Sequence, residues 1–437
     1  PIAVSNAAAA SRMAIGEALT NLVSVDVNLD RIILSANWMG ACGVKGQDAA
    51  LYDGVSAASS FCQELGVSIP VGKDSLSMKT SWKDQAGEDK TVVSPVSLVV
   101  SAAAPVYDIR NNLLPMFAES VRDSSLLLID LGHGKDRLGG SVYSQVTQRF
   151  DSVTPDMEDP KELKKFLELI RSLSAKGAIL AYHDRSDGGL AAALCEMMFA
   201  SHVGVEIVAD ALVSKDRTLN QALFNEELGA VIQVARGRAA EVERDFEAAG
   251  MGWSLKYLGN LTQDDHLNIY LEGKCVLSED RVDLQKAWNE VSWQIARMRD
   301  NPECADSEYE LISDKHNGGL VLTMGFDPEE NLAAPFINTG VRPKVAILRE
   351  QGVNSQNEMA SAFLQAGFDA VDVHMTDLLE GRAKLADFVG LAACGGFSYG
   401  DVLGAGGGWA KTILHNAKLQ SSFRRFFETP TTFTLGV

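Results

Sequence analysis

The sequence has no long apolar run. Nothing in it approaches the roughly 20 consecutive apolar residues of a membrane span. The longest such stretch, Ser97–Val106, is broken by small residues and predicts a buried strand. Paired cysteines are also missing. Cys42, Cys62, Cys195, Cys275, Cys304 and Cys394 are scattered, with no C-x-x-C pair and no histidine at metal spacing. That argues against a disulfide scaffold and a zinc site, and it fits a reducing cytoplasm. Basic charge is scarce: 39 Lys and Arg face 58 Asp and Glu, a net charge of −19. Without a basic stripe a nucleic-acid partner is not expected, whereas a small anionic substrate needs only a local positive pocket. The opening PIAVSNAAAASRM has neither a basic n-region nor a following hydrophobic block, so it is not a signal peptide. It has no initiator methionine either, which fits a piece of a longer protein.

What is present is the composition of a globular protein, too long at 437 residues for one ordinary core. Domains of roughly 100–200 residues predict two to four of them. Residues 7–24 read as a helix with Ile15, Leu19, Leu22 and Val23 on one side, capped by Ser5 or Asn6. Glu17 and Asn21, four apart, share one face of it. A strand at 31–36, a helix near 49–65, a short strand and the loop VGKDS at 71–75 follow, and the β-rich run 92–104 closes this block. Residues 105–275 read as a second α/β domain. Its strand 178–182 enters the loop HDRSDGG at 183–189, which opens a helix at 190–200. Residues 276–341 read as a connector whose helix carries Leu284, Trp288, Val291, Ile295 and Met298, a single apolar stripe to lay against a neighbour. From Arg342 strands and helices alternate, which predicts a parallel, doubly wound sheet.

Four features have chemical content. HDRSDGG sits between a strand and a helix, where free backbone N–H groups and the helix dipole favour a phosphate. Ser186 can donate a hydrogen bond there, and Asp184 is placed to hold magnesium. An ordinary strand–helix turn capped by Ser186 or Asp187 fits the local pattern as well. Glu17 and Asn21 are a hard-oxygen pair of the kind magnesium accepts, or a solvated helix face. VGKDS offers a lysine and a serine to a phosphate but lacks the spacing of a Walker A loop. CGGFSYGD places Gly395 and Gly396 directly after a buried strand, where backbone N–H groups at the carboxyl edge of a sheet can form an oxyanion hole. Cys394, at the last strand position and without a nucleophile elbow, reads as a buried core thiol.

Together, GEALTN, LSANWMGACGVKGQDAALYDGV, IPVGKDSLSMKT, LAYHDRSDGGL, LFNEELGAVIQV, RDNPECAD, PKVAILREQGVNS and ACGGFSYGDVLGAG resemble, in order and spacing, the large single-chain phosphoribosylformylglycinamidine synthases. The likeness runs over essentially all of the chain. It implies an α/β and α+β multidomain fold, with aminoimidazole ribonucleotide synthetase-like N- and C-type domains followed by a partial flavodoxin-like class I glutaminase domain. Residues 1–104 then correspond to the second N-type domain, 105–275 to the second C-type domain, 276–341 to the connector and 342–437 to the glutaminase. The resemblance further implies ATP- and glutamine-dependent amidation of formylglycinamide ribonucleotide in a soluble, cytoplasmic enzyme, with the remaining domains on the same polypeptide. Glu17, Asn21 and Asp184 match magnesium ligands of an ATP or ADP site that in the family is structural and retains its nucleotide without turnover, and Ser186 matches a nucleotide contact. Gly72, Lys73 and Ser75 align with a loop that reaches catalytic nucleotide in smaller relatives, which carry Asn at the place of Lys73 and Asp at that of Ala36. Gly395 and Gly396 match the oxyanion hole, and the glutaminase Cys, His and Glu are expected beyond Val437. A nucleotide-binding scaffold without catalysis is the rival reading.

Overall fold

The computed structural model describes residues 1–121, 123–315, 317–404 and 406–437. The chain separates into two compact units, Pro1–Asn317 and Gly318–Val437, so the break falls inside the stretch read as a connector.

The first unit opens with α1 (Ala7–Leu22), β1 (Ile33–Met39), α2 (Gln47–Leu65), β2 (Ser68–Ser75), the hairpin β3 (Lys79–Lys83) and β4 (Asp89–Val93), and β5 (Ser97–Ala103). Asn6 caps α1, its side chain accepting the Ala9 N–H at 2.9 Å. Strands β2, β1 and β5 form one sheet, β1 running parallel to β2 and antiparallel to β5. Two expectations are corrected here. The stretch Ser97–Val106 is not a buried strand: β5 within it is half-exposed, and Pro95, which cannot donate to a ladder, parts it from β4. And VGKDS is not a loop: it is the second half of β2, with Gly72 opposite Ala36 and Lys73 opposite Asn37. Strand pairing overrides the turn character of its residues, and glycine is required because a Cβ at position 72 would lie 2.2 Å from the Ala36 carbonyl oxygen.

The unit continues with β6 (Ser124–Asp130), α3 (Val142–Val146), α4 (Pro160–Ala175), β7 (Ala181–Asp184), α5 (Gly189–Ser201), β8 (Gly204–Val208), α6 (Leu219–Phe224), β9 (Gly229–Ala235), α7 (Ala239–Ala248), β10 (Leu255–Thr262), β11 (His266–Leu271), β12 (Lys274–Asp280), α8 (Arg281–Arg299) and α9 (Pro302–Leu311). The seven strands lie in the order β12-β11-β8-β10-β6-β9-β7. Every residue of β6 is buried, as befits a strand covered on both faces. One core joins the two blocks: Ile15, Leu19 and Phe61 pack with Ile129, Phe166 and Ile170. On α8, Leu284 packs against the core of the large sheet and Trp288 lies against the Phe199 ring, but Trp288, Val291, Ile295 and Met298 are exposed, so most of the apolar stripe is open.

The second unit contains α10 (Ala334–Ile337), β13 (Lys344–Arg349), α11 (Gln356–Gln365), β14 (Asp369–His374), α12 (Met375–Glu380), β15 (Gly390–Ala393), α13 (Gly407–Leu414), α14 (Ala417–Glu428) and β16 (Phe433–Gly436). Its sheet is wholly parallel, in the order β14-β13-β15-β16, as the alternating pattern predicts. Strand β14 is the edge of this sheet, so His374 ends an edge strand rather than an interior one.

Candidate functional site

The site in the first unit is assembled by one buried bond and one shared core. Tyr182, on β7 and 2% exposed, donates its hydroxyl to the Thr20 carbonyl of α1 at 2.6 Å. This pins the end of β7 beside the last turns of α1. Asn21 then reaches Asp184, its amide N–H donating to the Asp184 carboxylate at 3.4 Å across 163 residues of sequence. Glu17, Asn21, Asp184, His183 and Ser186 line a common cavity of about 500 Å³, whose apolar wall comes from Ala14, Ala18 and Leu22 of α1 and Leu98, Val100 and Ala102 of β5.

The charge around this cavity is one-sided. Desolvation, followed by the like charges of Asp187, Asp184 and Glu226, pushes the Glu17 carboxyl up to about 7. Its side chain nevertheless opens to solvent, so water screens part of that repulsion. Burial also raises the Asp184 carboxyl above its ordinary range. His183 donates to the Asp184 carbonyl at 2.6 Å and pairs with Glu196 at 2.9 Å. Burial works against its charge, but the Glu196 hydrogen bond and these neighbours outweigh it and raise its pKa.

Among the described residues no three His, Cys, Asp or Glu side chains converge as a metal-binding group. Two carboxylates and an amide oxygen are nonetheless a donor set magnesium accepts when waters and phosphates complete its shell. The crowded carboxylates favour a cation at the same place, so the residues fit that ion.

The turn at the start of α5 differs from its expected form. Gly188 and Gly189 both take the left-handed conformation, with φ of 79° and 67°. Their N–H groups are not free. Gly189 donates to the Ser186 carbonyl at 3.0 Å, and Gly188 donates to the carboxylate of Glu226 at 3.0 Å. Glu226, 8% exposed, accepts the Val142 N–H at 2.8 Å with the same oxygen. Behind it Glu227 holds Arg137 at 2.6 and 2.9 Å, and Arg185 holds Asp130 at 2.6 Å. Glu226 is not among the candidate residues drawn from the sequence. Its signal is two adjacent acids entering a buried, mostly apolar strand, a place where carboxylates persist only with partners.

Gly72, Lys73 and Ser75 are elsewhere. They lie on β2, on the other side of β1 from β5, so they do not line the cavity. Lys73 donates to the Ser75 hydroxyl at 2.9 Å, both side chains pointing to the same face of the strand.

In the second unit the glycine pair stands at the carboxyl edge of the parallel sheet. Asn354 donates to the Gly395 carbonyl at 3.1 Å and Phe397 to the Gly352 carbonyl at 2.9 Å, which pairs Val353 with Gly396 in an antiparallel bridge. In this kind of pair the two central residues exchange no bond with each other, so the Gly396 N–H points away from the 352–354 segment. Gly396 has φ of 117°, and a Cβ there would stand 2.7 Å from the Gly352 carbonyl oxygen. Glu350 and His374 approach to 3.4 Å at the same edge. Cys394 is 4% exposed among Val345, Ile347 and Ala392, and burial raises its thiol pKa, as a core thiol requires.

Comparison with known proteins matches three successive domains. The FGAR-AT PurM N-like domain matches residues 1–105, the C-terminal domain of AIR synthase related proteins matches 124–272, and the CobB/CobQ-like glutamine amidotransferase domain matches 342–437. Among solved structures, Thermotoga maritima PurL complexed with ATP is 10% identical over 62% of this chain and 40% of its own, with a TM-score of 0.44. The same protein complexed with FGAR is 11% identical over 75% and 48%, with a TM-score of 0.45. The hydrogenase maturation complex HypE–HypF is 18% identical over 62% and 84%, with a TM-score of 0.46. The chain thus spans less than half of the PurL chains it matches. Synthetase-like N- and C-type domains followed by a glutamine amidotransferase domain in one polypeptide make the chain similar, in domain content and order, to formylglycinamide ribonucleotide amidotransferase, or phosphoribosylformylglycinamidine synthase.

Proposed function

We propose that this chain serves the ATP- and glutamine-dependent conversion of formylglycinamide ribonucleotide to formylglycinamidine ribonucleotide in purine biosynthesis. The observation that carries the reading is the meeting of Glu17, Asn21, Asp184 and Ser186 in one cavity within the matched synthetase domains. The cavity holds ATP or ADP: its apolar wall seats the uncharged part, and Ser186 donates to a phosphate. Glu17, Asn21 and Asp184 would hold magnesium, which neutralises phosphate charge when bound. In the reaction ATP phosphorylates the amide oxygen, because an amide oxygen is a very poor leaving group. Ammonia released from glutamine then displaces the phosphate. The N–H groups of Gly395 and Gly396 stabilise the oxyanion formed on glutamine. Gly72, Lys73 and Ser75 face nucleotide or substrate at a separate place, on β2.

Calorimetry with Mg-ADP tests the cavity. Wild type should bind, and Asp184→Ala should bind about 10- to 100-fold more weakly, the usual range for disturbing a metal site. Equal binding by both would refute the assignment.

A further inference from the structure

The glycine turn at the head of α5 is the place where a bare phosphate is ordinarily received, by backbone N–H groups and the positive end of the helix dipole. Here an internal group already sits there. One oxygen of Glu226 accepts both the Gly188 and the Val142 N–H, at 3.0 and 2.8 Å, and the side chain is almost wholly buried. Glu226 is fixed from both sides in sequence. Asn225 donates to Asp136 at 3.2 Å, and Glu227 is clamped by Arg137. Gly188, which it holds, stands two residues after Ser186 on the cavity wall.

We infer that Glu226 is a positioning residue that makes nucleotide binding at this cavity depend on the metal ion, by filling the turn's anion position with the protein's own carboxylate. The inference rests on the cavity being a nucleotide site. A phosphate arriving without a cation meets the carboxylates of Glu17 and Asp184 on the cavity wall, and the Gly188 N–H that would offset them is taken. A phosphate arriving with magnesium meets the same carboxylates as ligands and as favourable charge. The closed turn therefore selects the metal complex over the free nucleotide. A merely structural Glu226 would hold the turn in place and leave that preference untouched.

The test compares ADP binding with magnesium and with the ion chelated, by calorimetry on wild type, Glu226→Gln and Glu226→Ala. Glu226→Gln keeps an acceptor oxygen for the two N–H groups and removes the charge, so the turn persists. Its Mg-ADP affinity should stay near that of wild type, while metal-free ADP binds about tenfold more tightly, one step of roughly 1.4 kcal/mol in affinity. Glu226→Ala vacates the N–H groups and should narrow the metal dependence at least as far. An unchanged ratio in both variants, with Mg-ADP binding intact, overturns the role of Glu226 and leaves the site standing. Loss of Mg-ADP binding by a folded Glu226→Gln also overturns it. Failure of wild type itself to bind Mg-ADP removes the site and this inference together.

Discussion

The two candidate sites are built from opposite materials. In the first unit, side chains from α1, β5 and β7 converge on a cavity, and the chemistry lies in carboxylates that are 167 positions apart at the extremes of Glu17 and Asp184. In the second, the 395–396 turn is made of backbone, its N–H groups aimed by the short ribbon of 351–354 on 395–399. A side-chain site of this kind depends on a buried network to hold its loops. A backbone site depends on the absence of side chains at one or two positions. Perturbations should therefore break the two sites by different routes.

The largest effect is expected behind the cavity. Glu227 has a side chain 1% exposed and is paired with Arg137, itself 10% exposed. Removing it as Glu227→Ala leaves that guanidinium only Glu158 and the Asp156 carbonyl, and breaking a buried pair on one side costs up to roughly 3–5 kcal/mol. Urea unfolding should report a loss of that order in the first unit; a loss under about 1 kcal/mol would mean the network is dispensable. Next comes Gly396→Val. It sets a side chain against backbone atoms of Gly352 and Asn354 at a φ that favours glycine, at a cost of about 1–3 kcal/mol. The damage should appear in unfolding of the second unit and leave Mg-ADP binding unchanged. If nucleotide affinity fell with it, the contrast between the two sites would be lost.

Tyr182→Phe is a smaller probe of the bond that brings β7 to α1. It leaves the buried Thr20 carbonyl without its donor, worth about 1 kcal/mol. Because Asn21 and Asp184 meet through that contact, Mg-ADP affinity should drop along with stability. Stability lost without any change in affinity would show that the cavity is set by packing alone.

The smallest effect is the pH dependence of the metal-free chain. Glu17 binds its proton more tightly folded than unfolded, so the folded state holds more protons between its ordinary range and about 7. Stability should thus fall as pH rises through that window. Glu17→Gln should flatten the slope, and a variant with the wild-type slope would exclude Glu17 as its source.

Much of this was legible before any coordinates. The apolar rhythm of 7–24, the strand–helix alternation after Arg342 and the helix at 190–200 are local patterns, and each element forms where expected. So is the glycine pair after a buried strand, because a strand end and two missing side chains are neighbours in sequence. The failures are equally local in cause. VGKDS has the residues of a turn, yet its partner β1 pairs with it throughout and makes it strand. The stripe on α8 has the period of a buried face, yet periodicity cannot say whether a neighbour is within reach, and beyond Leu284 most of that stripe is open.

By itself, then, the sequence determined the elements, the order of the three domains and the residue types capable of chemistry, because these depend on short-range periodicity, on glycine and proline geometry and on motif spacing. Only the tertiary structure decided which of those residues meet. It brought Asn21 to Asp184, kept Lys73 away from both, buried Cys394 and set the carboxylate of Glu226 on the Gly188 N–H. The physical reason is that such juxtapositions are fixed by the packing of elements far apart in the chain, through a core shared by α1, α2, β6 and α4, and no local pattern encodes that distance.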